Sequence, residues 1–216
     1  MSKLDLSLYG ILDPKRCLGR DLDELADAAI SGGCTLLQLR DKESATRDML
    51  ARAMAIKKAI DGRVPFLIND RVDVALASGA DGVHIGQDDM PVAAARQLLG
   101  PDAIIGLSIK TRQDAMQFPR EGLDYVCIGG VFETQSKDNP VSIGIDGWKE
   151  LAELCRERVK TPFPVGAIAG IDHKGASELI RAGADGVALI SALFMQADVK
   201  ASAMRFKEII QEAHSS

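Results

Sequence analysis

The sequence lacks an apolar run long enough to span a membrane, and its first residues, MSKLDLSLYG, lack the apolar stretch of a secretion signal. It also lacks a cluster of basic side chains, because its 26 Lys and Arg lie scattered among 31 Asp and Glu and give a net charge of −5. These two absences argue against a membrane or a nucleic acid as the main partner. We therefore expect small-molecule partners.

The four cysteines lack the CxxC spacing of metal and redox sites, and two of them lie inside apolar runs. This pattern predicts buried free thiols in a reducing compartment, and so a cytoplasmic protein. No linker or low-complexity segment interrupts the 216 residues, which are enough for one sizeable core. We expect a single domain over residues 1–216, and nothing in the sequence indicates its oligomeric state.

One short pattern recurs four times: SGADGVHIG and AGADGVALI are close copies, whereas EGLDYVCIG and SGGCTLLQL are looser ones. In chain order the copies occupy residues 31–39, 78–86, 121–129 and 182–190. Each has a small-residue turn followed by an apolar run, and the residues before it have helical spacing. Since glycine readily ends a helix and a continuous apolar run suits a strand buried on both faces, each copy predicts a helix, a turn and a parallel strand.

Four further apolar segments, at residues 7–13, 65–70, 103–109 and 163–170, predict strands that alternate with those of the copies. Eight strands, each followed by a helical stretch, predict a single (β/α)8 TIM barrel, an α/β fold with eight parallel strands. The competing fold is an open doubly wound sheet, which would place a GxGxxG turn after the first strand. The chain has GILDPKRCLG there, so we favour the barrel.

The active site of a TIM barrel lies at the carboxyl ends of its strands, so polar residues at those ends are candidates. Asp70 and Asp89, after the third and fourth strands, could share Mg²⁺, which typically takes one or two carboxylates together with phosphate oxygens and water. Gln38, Arg40 and Lys42 alternate along an extended segment and so can point the same way, and the two cations suit a diphosphate. The alternative is that Arg40 and Asp70 form a purely structural ion pair.

A second group of candidates follows the last three strands. Residues 167–171 and 189–194 offer small residues, among them Gly170 and Ser191, to a phosphate group, as the loops after the seventh and eighth strands of TIM barrels often do. The hydroxyls and the lysine of residues 133–137, ETQSK, belong to the same rim. The alternative is that these glycines only permit tight turns.

The histidines predict no catalytic base. His84 lies within the fourth strand, where we expect a packed, hydrogen-bonded core residue. No Ser/His/Asp or Cys/His order appears with supporting motifs.

Five motifs, in order along residues 36–194, resemble those of the thiamine-phosphate synthase family: LQLRDKE, FLINDRVDVALASGADGVHIGQDD, GLSIKT, DYVCIGGVFETQSK, and GAIAGI with AGADGVALISALF. The resemblance implies a TIM barrel and a Mg²⁺-dependent transferase. Enzymes of that family join 4-amino-2-methyl-5-(diphosphooxymethyl)pyrimidine to 4-methyl-5-(2-phosphooxyethyl)thiazole, giving thiamine phosphate and pyrophosphate. The diphosphate is expected to leave first, through a pyrimidine carbocation.

The resemblance also implies a role for individual residues. Those expected to bind the pyrimidine diphosphate are Gln38, Leu39, Arg40, Asp41, Lys42, Asn69, Ser108 and Lys137. Those expected to bind the thiazole phosphate are Thr134, Gln135, Ser136, Gly170, Ile190 and Ser191. Arg40, Ser108 and Lys137 are the expected catalytic residues, and Asp70 and Asp89 the expected Mg²⁺ ligands.

Three positions depart from the family pattern: Ala169 stands where a glycine is usual, Glu133 where a proline is common, and Lys110 in place of a histidine. These departures bear mostly on the thiazole side of the site. Two other functions stay open. A thiazole tautomerase-like relative would not need both aspartates and the Q-x-R-x-K segment, and a non-catalytic phosphate-sensing barrel would lose the metal ligands.

Overall fold

The computed structural model describes residues 4–133, 142–159 and 162–215, and within these ranges eight strands alternate with helices. The strands are β1 Leu8–Leu12, β2 Leu36–Leu39, β3 Phe66–Asn69, β4 Gly82–Ile85, β5 Ile104–Ile109, β6 Tyr125–Ile128, β7 Val165–Ile168 and β8 Gly186–Leu189. They form a closed, all-parallel barrel in chain order, in which β8 pairs with β1. The predicted TIM barrel is confirmed, and each strand falls within the segment predicted for it.

The helices surround the barrel. They are α1 Leu22–Gly32, α2 Thr46–Ile60, α3 Val72–Ser78, α4 Val92–Leu99, α5 Arg112–Gln117, α6 Gly144–Val159, α7 His173–Arg181, α8 Ser191–Phe194 and α9 Val199–His214. A 3₁₀ turn, Pro14–Arg16, follows β1. The ring of helices closes where α9 packs against both α1 and α7. None of the helices in the described ranges is both long and apolar enough to cross a membrane.

The strands separate two layers of buried side chains. The larger layer joins the outward faces of the strands to the helices, as where Leu39 and Phe66 share a cluster with Met49 of α2. The smaller layer fills the barrel and includes Tyr9 and Tyr125. Because both faces of the strands are covered, the strands read as continuous apolar runs without alternation.

The repeated pattern builds a set of clamps at the amino ends of the strands. In the second copy, the carboxylate of Asp81 accepts a hydrogen bond from the N–H of Phe66 at 2.7 Å, and the N–H of Asp81 donates to the Phe66 carbonyl at 2.7 Å. Asp124 and Asp185 do the same for Ile105 and Val165, and the hydroxyl of Thr35 does so for Leu8. We call Thr35, Asp81, Asp124 and Asp185 the amino-end clamps. Each clamp joins one odd-numbered strand to the strand that follows it.

A cation from an outer helix pairs with each acidic clamp: Lys57 of α2 with Asp81, Arg96 of α4 with Asp124, and Arg156 of α6 with Asp185. A glycine with positive φ precedes each clamp. At Gly183, where φ is 96°, an added Cβ would meet only Arg156 Nη1 at 3.7 Å. The glycine is therefore required by its backbone conformation and not by crowding. The recurring pattern therefore has a structural role, which is to join neighbouring strands at their amino ends.

Candidate active site at the carboxyl ends of the strands

Two polar side chains near the carboxyl ends of β2 and β3 are buried. Gln38 is 1% exposed and Asn69 is 9% exposed, and each belongs to a strand. The Nδ2 atom of Asn69 is buried and makes no hydrogen bond to any of the described residues. A buried amide donor without a partner costs free energy, so Asn69 is suited to meet an acceptor on a ligand.

An acidic pair lies beside Asn69. Asp70 directly follows β3 with φ of 60°, an uncommon conformation for a residue with a side chain, and its N–H donates to the carbonyl of His84 at 2.9 Å. Asp89 lies in the loop after β4, where its Oδ2 accepts a hydrogen bond from the N–H of Gly86 at 2.7 Å. The turn at Asp70 and the hydrogen bond at Asp89 fix the positions of both carboxyl groups.

The two carboxyl groups are close enough to compete for a proton. Burial raises the pKa of Asp70; Lys42 opposes this rise, and the Asp89 carboxyl adds to it. Burial also acts to raise the pKa of Asp89, but hydrogen bonds from Asp70 and from the Gly86 N–H outweigh it and hold that pKa below its ordinary value. A divalent cation between the two groups would allow both to ionise.

The donor set fits Mg²⁺. The described residues contain no group of three or more His, Cys, Asp or Glu side chains that could hold a metal, so the protein would offer an ion here these two carboxylates and no third one. Mg²⁺ usually keeps several waters and shares few protein carboxylates with substrate phosphates. Asp70 and Asp89 match that pattern, and a soft or tetrahedral metal would want other ligands.

Two cationic side chains from the segment after β2 lie at the barrel mouth, by which we mean the end of the barrel formed by the carboxyl ends of the strands. The side chain of Lys42 contacts Asp70, and that of Arg40 contacts Asp13, which lies after β1 and is 7% exposed. The structural ion pair considered between Arg40 and Asp70 is therefore not the one that forms. A guanidinium carries five N–H donors, so contact through one nitrogen orients Arg40 and leaves donors for a phosphate.

Leu39 and Asp41 face away from the mouth. Leu39 is fully buried in the layer between strands and helices. The Asp41 carboxylate accepts hydrogen bonds from the N–H groups of Glu43 and Ser44 and from Arg52 Nη1 at 2.6 Å. Only the backbone of these two residues can take part in the site, because their side chains are committed to the loop and the core.

A chain of hydrogen bonds crosses the barrel beneath the mouth. Gln38 Nε2 donates to the hydroxyl of Tyr9, which lies 3.0 Å from that of Tyr125. The Tyr125 hydroxyl lies 2.9 Å from Nδ1 of His84, and Nε2 of His84 lies 2.9 Å from Oγ of Ser108. His84 is 7% exposed, which confirms the packed, hydrogen-bonded core histidine predicted from the sequence.

A separate cavity of about 330 Å³ opens at the ends of β7 and β8. Its lining includes Gly170, Ile190 and Ser191, three residues expected to bind the thiazole phosphate, and it also includes Arg16 and Glu133. Gly170 has φ of 65°, and a Cβ there would lie 2.3 Å from the carbonyl oxygen of Glu133. The close approach of two backbones therefore requires this glycine, which also forms the cavity wall. Thr134, Gln135, Ser136 and Lys137 lie outside the described residues.

Four residues of the mouth and barrel interior went unrecognised in the sequence. Asp13 directly follows β1, and Arg16 ends the short turn after it. Both could have been predicted by the rule that identified Arg40, namely that polar residues after a strand are candidates. Tyr9 and Tyr125 lie within strands, where aromatic residues are ordinary core material. No local signal marks their hydroxyl groups as parts of a chain.

Comparison with known proteins agrees with this geometry. The model of the thiamine monophosphate synthase family matches residues 8–193. The thiamine-phosphate synthase of Agrobacterium fabrum is 50% identical over 99% of this chain and 97% of that protein, and that of Ruminiclostridium cellulolyticum is 39% identical over 96% and 97%. The structure of thiamine phosphate pyrophosphorylase from Pyrococcus furiosus superposes with a TM-score of 0.84 at 33% identity, covering 98% of both chains. The resemblance noted in the sequence is confirmed, and the chain belongs to the thiamine monophosphate synthase family.

Proposed function

We propose that this chain is a thiamine-phosphate synthase, a transferase that joins the aminopyrimidine diphosphate to the thiazole phosphate and releases pyrophosphate. The family and the full-length relatives support this activity. The observation that carries it to this chain is the acidic pair Asp70 and Asp89 beside Lys42 and Arg40. Its buried free cysteines support a cytoplasmic location.

In the proposed mechanism, Asp70 and Asp89 hold Mg²⁺, which when bound supplies positive charge to the leaving diphosphate. Arg40 and Lys42 bind the same diphosphate from the β2 side, and Asn69 directs its unpaired amide donor towards the substrate. As the carbon–oxygen bond breaks, charge grows on the diphosphate where these groups already lie. Stabilisation by fixed charges of this kind is usually the largest single contribution to catalysis.

No proton has to be removed by a base in this reaction, because the thiazole nitrogen attacks with its lone pair. The interior of the barrel is consistent with that chemistry, since both ring nitrogens of His84 contact other side chains. The protein's remaining task is to hold the thiazole in line with the pyrimidine carbon. The cavity between β7 and β8 suits its phosphate, with Ser191 and Arg16 among the polar groups of the lining.

The metal role is tested by Asp89→Asn, which keeps the size of the side chain and removes its charge. We expect pyrophosphate release to fall at least tenfold, about 1.4 kcal/mol of barrier, with little change in unfolding temperature. Asp88→Asn is the matched control, because Asp88 is an exposed carboxylate in the same loop and its loss should leave turnover unchanged.

The assay uses purified protein with both substrates, with and without excess EDTA. Full activity in EDTA would reject the metal assignment. If no pyrophosphate is released with Mg²⁺ and both substrates present, the synthase assignment itself fails and a tautomerase-like or phosphate-sensing function takes its place.

A further inference from the structure

The hydrogen-bond chain from Gln38 to Ser108 links two residues of the barrel mouth through the barrel interior. Its three inner members, Tyr9, Tyr125 and His84, come from β1, β6 and β4. Its two ends belong to β2 and β5, which are not neighbours in the barrel. The proposed mechanism assigns no role in the reaction to these three inner residues.

Each inner member has one proton to give. Burial raises the pKa of both Tyr9 and Tyr125, so each phenol keeps its proton. A phenol donates one hydrogen bond, and an imidazole with one N–H donates one and accepts one. Buried donors are normally paired, so each inner member donates its proton to a neighbour in the hydrogen-bond chain. This is possible only if all four hydrogen bonds have their donors on the same side.

The orientation of the Gln38 amide selects that direction. Its Nε2 donates to Tyr9, so Tyr9 donates to Tyr125 and Tyr125 donates to Nδ1 of His84. The imidazole proton then lies on Nε2 and is donated to Oγ of Ser108. Two groups are left for the mouth: the Gln38 carbonyl as an acceptor and the Ser108 hydroxyl as a donor.

We propose that Tyr9, Tyr125 and His84 are positioning residues that fix this acceptor and this donor, and that the pair thereby selects an amino-substituted pyrimidine. The inference rests on the proposed function. An aminopyrimidine presents an N–H donor on its amino group and an acceptor on a ring nitrogen, which complement Gln38 and Ser108. A 4-oxo pyrimidine presents a carbonyl oxygen in place of the amino group, and this oxygen would face the carbonyl of Gln38.

The test measures the dissociation constants of the amino and the 4-oxo pyrimidine diphosphates by calorimetry with Mg²⁺ present. Binding is the right readout, because the oxo group also changes the reactivity of the ring. We expect the wild-type protein to prefer the amino compound by at least a hundredfold, since a site built to hydrogen-bond a group rejects an analogue that lacks it.

Tyr9→Phe removes one hydroxyl and keeps the ring, so the Gln38 amide is free to turn and present its N–H₂ group. The preference for the amino compound should fall at least tenfold. Tyr125→Phe, which cuts the chain at its centre, should lower it at least as much. The control is Leu67→Val, a change of one methylene in the same barrel interior, which should leave the preference within twofold of wild type.

Three outcomes would overturn the proposal: equal binding of both compounds by wild type, an unchanged preference in Tyr9→Phe, or a proton on Nδ1 of His84 in ¹⁵N NMR spectra of the wild-type protein. The NMR measurement needs no variant and so holds even if a variant fails to fold. A wild-type protein that binds neither pyrimidine would instead reject the proposed function.

Discussion

Two residues with side chains adopt positive φ at the carboxyl ends of the strands: Asp70 at 60° and Ala169 at 93°. Strained backbone of this kind persists where the surrounding structure holds it, and it clusters at functional sites. At Asp70 the turn aims a carboxyl at Asp89. At Ala169 the strain serves no side chain, because its methyl group carries no chemistry.

Ala169→Gly should therefore stabilise the protein. Relief of the strained conformation is worth about 1 to 3 kcal/mol, whereas the added freedom of glycine in the unfolded chain costs about 0.4 to 1 kcal/mol. We expect a net gain on the order of 1 kcal/mol in the free energy of unfolding, measured by urea titration. Ala182→Gly is the control, because φ is −74° there, so the change relieves no strain and should lower the free energy of unfolding. If both variants lose stability, Ala169 is not strained.

At the scale of elements, the two ends of a strand have different roles: the amino end carries a clamp that joins strands, and the carboxyl end contributes to the candidate site. Asp185 ties the start of β7 to the start of β8, while the far ends of these strands form the cavity that contains Gly170 and Ser191. Changes at one end should therefore leave the other end's task intact.

Asp185→Ala should lower the free energy of unfolding by about 1 to 2 kcal/mol, because the N–H of Val165 loses its acceptor. The pair with Arg156 adds little, since the Asp185 side chain is 46% exposed. Turnover at saturating substrate should be unchanged. Asp27→Ala removes the carboxylate from another exposed pair, that with Arg63, and should cost almost nothing. Equal costs for the two variants would mean that the clamp acts only through its ion pair.

The sequence was sufficient to predict the strands because each is an apolar run framed by a turn, a pattern that local physics imposes. It was also sufficient to place Gln38, Arg40 and Lys42 at or just beyond the carboxyl end of β2, because the end of the apolar run marks the end of the strand. The partner of Arg40 could not be predicted in this way, because Asp13 lies beside it only through the register in which β1 pairs with β2, and no local pattern gives that register. The contact between Tyr9 and Tyr125 joins residues 116 positions apart, and no periodicity encodes it.

At the scale of the whole molecule, burial makes the protein sensitive to alkali. Burial raises the pKa of the thiols of Cys34, Cys127 and Cys155 to about 12 and that of Cys17 to about 11. A raised folded-state pKa contributes stability that is complete below the unfolded pKa of 9.0 and is lost as the pH rises towards 12. The protein should therefore lose stability steeply above pH 9, because its unfolded chain ionises first.

Cys34→Ala isolates one such group. Between pH 9 and pH 11, the unfolding free energy of this variant should fall by about 2 kcal/mol less than that of the wild-type protein. Urea titrations at the two pH values measure the difference. Val74→Ala truncates a buried side chain that does not titrate and should retain the full wild-type loss. Identical losses in Cys34→Ala and wild type would show that this thiol titrates alike in both states.

The four amino-end clamps give the lower end of the barrel an approximate fourfold rotational symmetry. Each clamp joins two consecutive strands by hydrogen bonds, and we call each such pair a quarter of the barrel: β1 with β2, β3 with β4, β5 with β6, and β7 with β8. At the carboxyl ends of the strands the described residues lack this symmetry, because the second quarter carries the acidic pair and the fourth carries the cavity glycine. A chain made of four identical quarters would therefore keep the clamps and lose the differences between quarters that separate the acidic pair from the cavity.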